Sequence, residues 1–581
     1  MKRFPPLLYR LLLLLSGLLL PVAAHALNLS VEIKGLQGEV ADNARAFLSI
    51  EQEKSRAGLS VSRLRLLHKK APQEIRKALQ PFGYFKPQIT ADLQEDGQTF
   101  RAVYEVAVGP QIRLSAVDIQ ILGEAGEDPS FHVDFPLAVG DVLNQAVYEK
   151  AKQALLAKAI ENGYLDVSYR LHQVLVDMQT YQAQIKLHLD TGRHFRFGEV
   201  RFVQDVMNPQ FLARYLRFQP GDPFSHEKLL NLQSDLIDSE YFSQVEVLTL
   251  RDQAEGDQVP IDVICTPNKR DRYRIGLGYS TDTGPRITLD WKRRRFGPNG
   301  HRLGSELRLS KPHSTFKTEY LIPLERPSKD SLSFGFSLDR FDTDSRKGTL
   351  ALVNAKHSVE LENGWRRALG LDYSYENYDV ADQQDKAFLL VPNVQWTRLK
   401  TDGKSFIQRG KRLDLRIEGA HDRLLSSTSY LQMVTHDKYI YGFGGGKWRW
   451  LARTDLGVTW AKDLLELPAS KRFFAGGDNS VRGFDLDELG PTDDEGQVIG
   501  GRYLAVASLE LERRLVGKWS AAVFIDAGNA YDPDYNSDLA YGAGLGVRWR
   551  SPVGPIRVDL AAGLSADKVE PRLHIVVGPE L

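Results

Sequence analysis

The sequence predicts a transmembrane β-barrel of about 16 antiparallel strands, preceded by three small α+β domains. Three observations support this fold class. All eight Trp lie at or after Trp291, and 33 of the 48 Gly lie after residue 270, so the composition changes there. Helical patterns occur before that position, whereas alternation of apolar and polar residues dominates after it. Similar segments also recur about every 80 residues in the first part of the chain.

The first residues have the pattern of a secretory signal. An apolar stretch from residue 11 to 24 follows Lys2, Arg3 and Arg10, and small residues stand at positions −3 and −1 of a cut after Ala26. The stretch is shorter than the roughly 20 residues that an apolar helix needs to cross a bilayer. We therefore predict a signal peptide over residues 1–26.

The composition excludes several classes of function. The 581 residues include 75 basic and 75 acidic side chains, so no large field of one sign is available to collect nucleic acid. Cys265 is the only cysteine, which rules out an intrachain disulfide, a thiolate zinc site and a paired-cysteine redox site. The sequence contains no metalloprotease or serine hydrolase motif. We expect neither an enzyme nor a cofactor, and no nucleic-acid partner.

Three segments of similar pattern predict three domains, at residues 27–109, 110–191 and 192–266. Each opens with a short alternating strand, continues through helices, such as the one predicted from Tyr148 to Ile160, and closes with two strands. This order gives a small sheet covered by helices on one face. An edge strand left open in such a sheet can bind an extended strand of a partner. The alternative is that the domains serve only as spacers.

From Tyr273 onward the pattern is that of strands, and residues 267–581 form the predicted barrel. In the first strand Tyr273, Ile275 and Leu277 alternate with charged or small residues. About 310 residues, at roughly 20 per strand and connection, give about 16 strands. A soluble sandwich or propeller is the alternative. The Trp-rich strands behind a secretory signal favour the membrane barrel, because aromatic rings prefer the membrane interfaces.

Three segments of the predicted barrel carry a known family pattern. Residues 472–484 read RFFAGGDNSVRGF, residues 508–515 read SLELERRL, and residues 523–530 read VFIDAGNA. In this order they resemble the Omp85 superfamily. The resemblance implies that a loop tip folds back into the barrel lumen, where its arginine meets acidic groups on neighbouring strands. The matching residues are Val481, Arg482, Gly483 and Phe484 for the tip, and Glu510 and Asp526 for the acidic groups.

The residues themselves support this arrangement. Glu510 alternates with Leu509 and Leu511, and Asp526 follows Ile525, so both carboxylates face the lumen if their apolar neighbours face lipid. A planar guanidinium can bridge two carboxylates through charge-assisted hydrogen bonds. We therefore predict that Arg482 reaches both. For an isolated Arg-Gly pair the alternative is a solvated turn.

The three N-terminal domains resemble the POTRA domains of this superfamily. Their number resembles its TamA-type members, the outer-membrane subunits of translocation and assembly modules. The resemblance implies a bacterial outer-membrane protein whose POTRA domains lie in the periplasm. It also implies that the protein promotes insertion of autotransporters and other β-barrel proteins, in contact with outer-membrane lipid and with an inner-membrane-anchored TamB-type partner. A two-partner secretion exporter and an outer-membrane anchor for TamB-linked lipid transport stay open as alternatives.

The seam between the first and last strands is the predicted working site. A full ladder in lipid resists opening, because each unpaired backbone group there costs several kcal/mol. Pro579 has no N–H to donate and Gly578 has no side chain to pack, so pairing is expected to end near them and leave an edge for a client strand. Alternatively, these two residues only end the chain at the periplasmic rim. The predicted seam residues are Tyr273, Ile275 and Leu277 on the first strand, and Leu573, Ile575, Val577, Gly578 and Pro579 on the last.

Overall fold

The structure, a computed structural model, describes residues 28–577 except 57–58, 98, 404–405, 552–553 and 567. The predicted signal peptide, Gly578 and Pro579 lie outside the described residues. The chain divides into two compact units: one holds the first two domains with part of the third, and the other holds the rest of the third domain with the barrel. None of the helices in the described residues is both long and apolar enough to span a bilayer.

The first domain combines a three-stranded sheet with three helices. β1 (Asn28–Lys34) is followed by helices Gly38–Phe47, Ser49–Glu53 and Val61–Leu79, and then by β2 (Gln88–Asp96) and β3 (Thr99–Ala107). The sheet order is β1-β3-β2, with β3 parallel to β1 and antiparallel to β2. Leu64 and Ile75 on one face of the longest helix are buried in the same core as Phe100 and Tyr104 of β3. This packing covers one face of the sheet.

The second and third domains repeat this order of elements. The second contains β4 (Arg113–Leu122), helices Glu124–Glu127 and Gln145–Glu161, β5 (Ser168–Asp177) and β6 (Gln182–Asp190). The third contains β7 (Arg196–Val203), helices Pro209–Leu212 and His226–Asp238, β8 (Phe242–Thr249) and β9 (Gln258–Pro267). Their sheet orders are β4-β6-β5 and β7-β9-β8, so the last strand of each domain lies in the centre of its sheet. Short 3-10 turns occur at Gln80–Phe82, Ala213–Tyr215 and Arg251–Gln253.

The strands that follow close into one antiparallel barrel of 16 strands, so the predicted fold class is confirmed. Their lengths range from 7 residues in β25 to 19 in β17. The strands are β10 (Asp271–Ser280), β11 (Gly284–Arg293), β12 (Arg302–Leu309), β13 (His313–Pro323), β14 (Asp330–Asp342), β15 (Arg346–Glu360), β16 (Arg366–Val380), β17 (Gln383–Thr401), β18 (Arg409–Ala420), β19 (Tyr430–Phe443), β20 (Trp448–Ala461), β21 (Tyr503–Arg514), β22 (Trp519–Tyr531), β23 (Ala540–Ser551), β24 (Gly554–Gly563) and β25 (Pro571–Val577).

Side chains alternate between the two faces of the barrel wall. Ile525 on β22 is 51% exposed, whereas the next residue, Asp526, is fully buried. Leu509 and Glu510 on β21 show the same contrast. The lumen contains a cavity of about 940 Å³ that is lined mainly by polar and charged side chains. An apolar outer face around a polar interior is the pattern of a membrane barrel.

The connection between β20 and β21, residues 462–502, folds into the lumen, and we call it the lumen loop. Ser470 donates its backbone N–H to Glu376 on β16 at 3.0 Å. Lys471 Nζ lies 2.5 Å from a carboxylate oxygen of Glu418 on β18. Two acidic side chains of the barrel wall therefore hold this part of the loop inside the barrel.

Candidate functional site

The tip of the lumen loop, formed by Val481, Arg482, Gly483 and Phe484, lies in the barrel interior beside β24. Gly483 has φ = +100°, and a Cβ there would stand 2.6 Å from the carbonyl carbon of Ala562. Only glycine combines this backbone conformation with so close an approach. Val481 and Phe484 are buried in an apolar cluster with residues of β21 and β23. The tip is thus anchored by packing on both sides of its arginine.

The guanidinium of Arg482 lies between two buried carboxylates. It donates to Asp526 through Nε at 2.7 Å and through Nη2 at 2.9 Å, and to Glu510 through Nη1 at 2.9 Å. The backbone N–H of Arg482 also donates to Asp526, at 3.1 Å. The guanidinium carbon stands 3.4 Å from the ring centre of Phe524, as in a cation–π contact. The structure therefore brings together the three charged residues that the sequence singled out.

Two further residues complete this charge cluster, which comprises Arg482, Arg548, Glu510, Asp526 and Asp559. Asp559 on β24 accepts a hydrogen bond from Arg482 Nη1 at 3.2 Å and also contacts Arg548 on β23. Arg548 donates to the second oxygen of Glu510, through Nη2 at 2.8 Å and Nε at 3.0 Å. All five side chains are buried. Two cations and three carboxylates from the loop and four adjacent strands thus fix the position of the loop tip.

Sequence reasoning missed Asp559 and Arg548, although Asp559 gave a usable signal. It stands between Val558 and Leu560, which face outward, in the same alternation that identified Asp526. What the sequence did not show is which strands are neighbours of the loop tip. The cluster joins the loop tip to four strands of the barrel wall through charge-assisted hydrogen bonds.

The seam between β10 and β25 is short in the described residues. Ser280 pairs with Val576, and no other pair joins the two strands in the part of the chain that the structure describes. Beside that pair, the backbone N–H of Thr281 donates to the carbonyl oxygen of Ile575 at 3.2 Å, and the N–H of Ile575 donates to Thr281 Oγ1 at 3.1 Å. On its other edge β10 pairs with β11 along its whole length.

The predicted seam residues on β10 lie along the edge that β25 does not cover. Tyr273, Ile275 and Leu277 are 74%, 76% and 78% exposed, compared with 45% for Ile287, the partner of Leu277 on β11. The described pairing lies at the far end of β10, at Ser280, whereas the sequence predicts a seam at Tyr273, Ile275 and Leu277. In the register set at Ser280, the positions opposite these residues fall beyond Val577, outside the described residues.

On the last strand, the predicted seam residues differ in their surroundings. Leu573 is exposed on the outer face of the barrel, and Ile575 and Val577 are partly buried. Ile575 carries the backbone hydrogen bonds to Thr281 described above. Val577 is described, yet the ladder does not extend from Val576 to it. Gly578 and Pro579 lie outside the described residues, so their part in the seam stays a prediction.

Asp282, Asp478 and His574 form the one group in the described residues whose ligand atoms could converge on a metal ion. Their side chains are already bonded within the protein. His574 Nε2 accepts the backbone N–H of Gly483 at 3.0 Å, and Nδ1 lies 2.6 Å from Asp478 Oδ1. Asp282 Oδ2 accepts the backbone N–H of Asp478 at 2.5 Å. The arrangement therefore fits a hydrogen-bond network better than a metal site.

The third domain contacts the first barrel strands through Glu240. This residue follows the helix His226–Asp238 and has φ = +59°. Its carboxylate lies 3.0 Å from Arg272 Nη1, 3.0 Å from Lys292 Nζ and 3.3 Å from Arg294 Nε. Burial alone would raise the pKa of Glu240, but its hydrogen bond to Lys292 and the three positive charges outweigh that effect and lower the pKa. The contacts fix the third domain to the beginning of β10 and the end of β11.

Comparison with known families agrees with this geometry. The model of the Omp85 superfamily domain matches residues 295–579, which include the loop tip, the acidic strands and most of the barrel. The chain belongs to the Omp85 superfamily. A second family model, for TamA POTRA domain 1, matches residues 30–108 of this Omp85 protein. The predicted localisation is confirmed: the barrel lies in the bacterial outer membrane, and the POTRA domains lie in the periplasm.

Several known proteins are similar to this Omp85 protein. The outer membrane protein assembly factor BamA of Nitratidesulfovibrio vulgaris is 27% identical over 431 residues, which cover 69% of this chain and 53% of that protein. BamA of Neisseria meningitidis is 22% identical over 551 residues, which cover 82% of this chain and 68% of that protein. The chain thus spans about half the length of the first relative. The crystal structure of Haemophilus ducreyi BamA lacking POTRA domains 1–3 has a TM-score of 0.68 at 18% identity, covers 80% of this chain and 99% of that one, and shows the shared fold.

Proposed function

We propose that this protein is an outer-membrane assembly factor that inserts β-barrel proteins by pairing their strands with the edge of β10. The observation that carries the proposal is the one-sided pairing of β10. β11 covers one edge from Asp271 to Ser280, whereas the described residues of β25 reach the other edge only at Ser280. The two relatives named as outer membrane protein assembly factors support the same function.

Strand addition at this edge is physically favourable. An unpaired backbone N–H or C=O in lipid costs several kcal/mol, and a client strand would provide partners for a row of them. The side chains of Tyr273, Ile275 and Leu277 are exposed on the apolar face of β10. A client strand that alternates apolar and polar residues would continue both faces of the barrel wall. The client would leave when its own first and last strands pair.

We further propose that the protein acts with a TamB-type periplasmic partner anchored in the inner membrane and that autotransporters are among its clients. The match of residues 30–108 to TamA POTRA domain 1 supports this assignment. In that domain β1 and β2 each have a single neighbour in the described sheet, so an extended segment of the partner can add to either edge. An exporter that passes its substrate through the lumen would first have to displace the buried charge cluster and the loop, which favours assembly over export.

A reversible lock of the seam tests the assembly function. In a Cys265→Ser background, cysteines replace Tyr279 and Val577, the described residues next in register to Ser280 and Val576. Oxidation joins the two strands, and a reductant releases them. Insertion of a client barrel is then measured in proteoliposomes by the shift in gel migration that accompanies folding. We expect the oxidised protein to lose insertion and the reduced protein to recover it.

A second lock provides the matched control. Val523 on β22 and Leu545 on β23 are directly opposite each other and both face outward, so cysteines there join two strands that are already fully paired. Oxidation of this pair should leave insertion unchanged. Full insertion by the protein locked at the seam would rule out strand addition at β10. It would leave perturbation of the lipid, or lipid transport with the partner, as the function.

A further inference from the structure

We propose that Asp478 of the lumen loop holds the seam closed by binding β10 and β25 at the same time. On the side of β10, its carboxylate accepts hydrogen bonds from the Ser280 hydroxyl, from Thr281 Oγ1 at 2.8 Å and from the backbone N–H of Asp282 at 3.3 Å. On the side of β25, its Oδ1 lies 2.6 Å from Nδ1 of His574. One carboxylate thus joins the two strands whose described backbone pairing is limited to a single residue pair.

The burial of this network strengthens its hydrogen bonds. Asp478, Ser280 and His574 are all at least nine-tenths buried. A carboxylate that accepts several hydrogen bonds away from water is held more strongly than a solvated one, because water does not compete for the donors. By contrast, the ion pairs of Arg572 on β25 with Asp485 and Glu488 of the loop are solvent-exposed, and exposed ion pairs contribute little. Asp478 is a buried side chain of the lumen loop that bonds to both sides of the seam.

The network also connects the seam to the loop tip. The backbone N–H of Gly483 donates to His574 Nε2 at 3.0 Å, so that nitrogen acts as an acceptor and carries no proton. The proton of the neutral ring then stands on Nδ1, where it is donated to Asp478. Asp282, two residues after the end of β10, also binds the loop, since its Oδ2 accepts the backbone N–H of Asp478 at 2.5 Å. The tip, the loop and both seam strands form one continuous set of bonds.

This role of Asp478 rests on the proposed function. If clients are inserted at the seam, Asp478 and His574 are positioning residues for the exchange of strands there. A client strand that takes the place of β25 beside β10 has to break the bonds of Asp478 to one of the two strands. Breaking them detaches Asp478 from that strand while its bonds to the other strand remain. Opening of the seam and loss of the loop's contact with one seam strand are then a single event.

The test measures the width of the seam without any client, so its outcome does not depend on whether the protein inserts barrels. In full-length Cys265→Ser protein in lipid nanodiscs, spin labels are placed at Leu277 and Leu573, which both face outward. We expect one narrow distance distribution for the parent protein. Asp478→Ala should add a population at longer distance. His574→Phe, which keeps the ring but removes its hydrogen bonds, should do the same and serves if Asp478→Ala fails to fold.

Asp487→Ala is the matched control. Asp487 belongs to the same loop and is also buried, but it accepts from Arg346 Nε at 3.0 Å, away from the seam. We expect this variant to keep the narrow distribution of the parent. The proposal is overturned if the Asp478 and His574 variants also keep it, or if the Asp487 variant broadens it as much as they do, which would indicate general loosening of the loop.

Discussion

Replacing Arg482 by alanine should destabilise the barrel mainly through Asp526. In the native protein Asp526 is fully buried and accepts two hydrogen bonds from the guanidinium and one from the backbone of Arg482. Without the guanidinium, Asp526 keeps the hydrogen bond from the backbone N–H of residue 482. Glu510 and Asp559, by contrast, keep Arg548 as a positively charged partner. Removing one partner of a buried pair costs about 3 to 5 kcal/mol, because the other charge remains buried. We expect Arg482→Ala to lower the free energy of unfolding by about that amount.

A double-mutant cycle separates this interaction from general damage to the loop. Asp526→Ala in the Arg482→Ala background removes the stranded charge, so the double variant should be more stable than the sum of the single effects predicts. The coupling should lie at about 0.5 to 3 kcal/mol. The same cycle with Glu510→Ala should give a smaller coupling, because Arg548 shares Glu510 with Arg482.

Urea unfolding in detergent micelles, followed by tryptophan fluorescence, measures these free energies, since all eight Trp lie in the barrel. Arg308→Ala is the reference for an exposed ion pair. Arg308 contacts Glu306 at 3.1 Å and is half exposed, so its loss should cost at most about 1 kcal/mol. Strict additivity of Arg482→Ala and Asp526→Ala would contradict the idea that their hydrogen bonds carry the stability of the tip.

Three other predictions concern the rest of the chain. Deleting residues 27–109 should abolish capture of the TamB-type partner in a pull-down while the barrel still inserts, and undiminished capture would place the partner elsewhere. N-terminal sequencing of the exported protein should begin at Leu27, and a start at Met1 or several residues away would exclude cleavage after Ala26. Glu240→Gln should weaken the contact of the third domain with the barrel, as measured by protease cleavage near residue 268. Because the folded pKa of Glu240 is lowered, its contribution is present at neutral pH and is lost as the pH falls through that pKa. The difference between Glu240→Gln and the parent should therefore narrow below about pH 4, and a constant difference would mean that the charge is not responsible.

The parts of the site that sequence could predict are those that follow from local alternation. Glu510 and Asp526 each stand beside an apolar residue that faces outward, so their inward orientation was fixed by the period of a strand. The motif of the loop tip then supplied their partner, Arg482. Asp559 satisfied the same criterion, but only the order of strands in the closed barrel shows that it lies within reach of that arginine.

The seam was harder to predict because its register depends on closure of the whole sheet. Tyr273, Ile275 and Leu277 alternate with charged or small residues and are exposed on β10. Nothing local sets which residue of the last strand stands opposite them. Asp478 and His574 are 96 residues apart in the chain and belong to no common motif. Their contact arises only when the lumen loop enters the barrel beside the junction of the first and last strands.

The unequal strand lengths have a consequence for the surrounding bilayer. A strand of 10 residues such as β10 rises about 33 Å, or about 25 Å along the membrane normal at a tilt near 40°, which equals the usual apolar band of such barrels. The 19 residues of β17 give about 48 Å by the same reasoning. The barrel wall at β17 can extend well beyond the hydrocarbon core of the bilayer, whereas the wall at β10 only just spans that core. A thicker bilayer is therefore mismatched with the wall at the seam, where compressed and poorly packed lipid would lower the barrier for the strand addition proposed above.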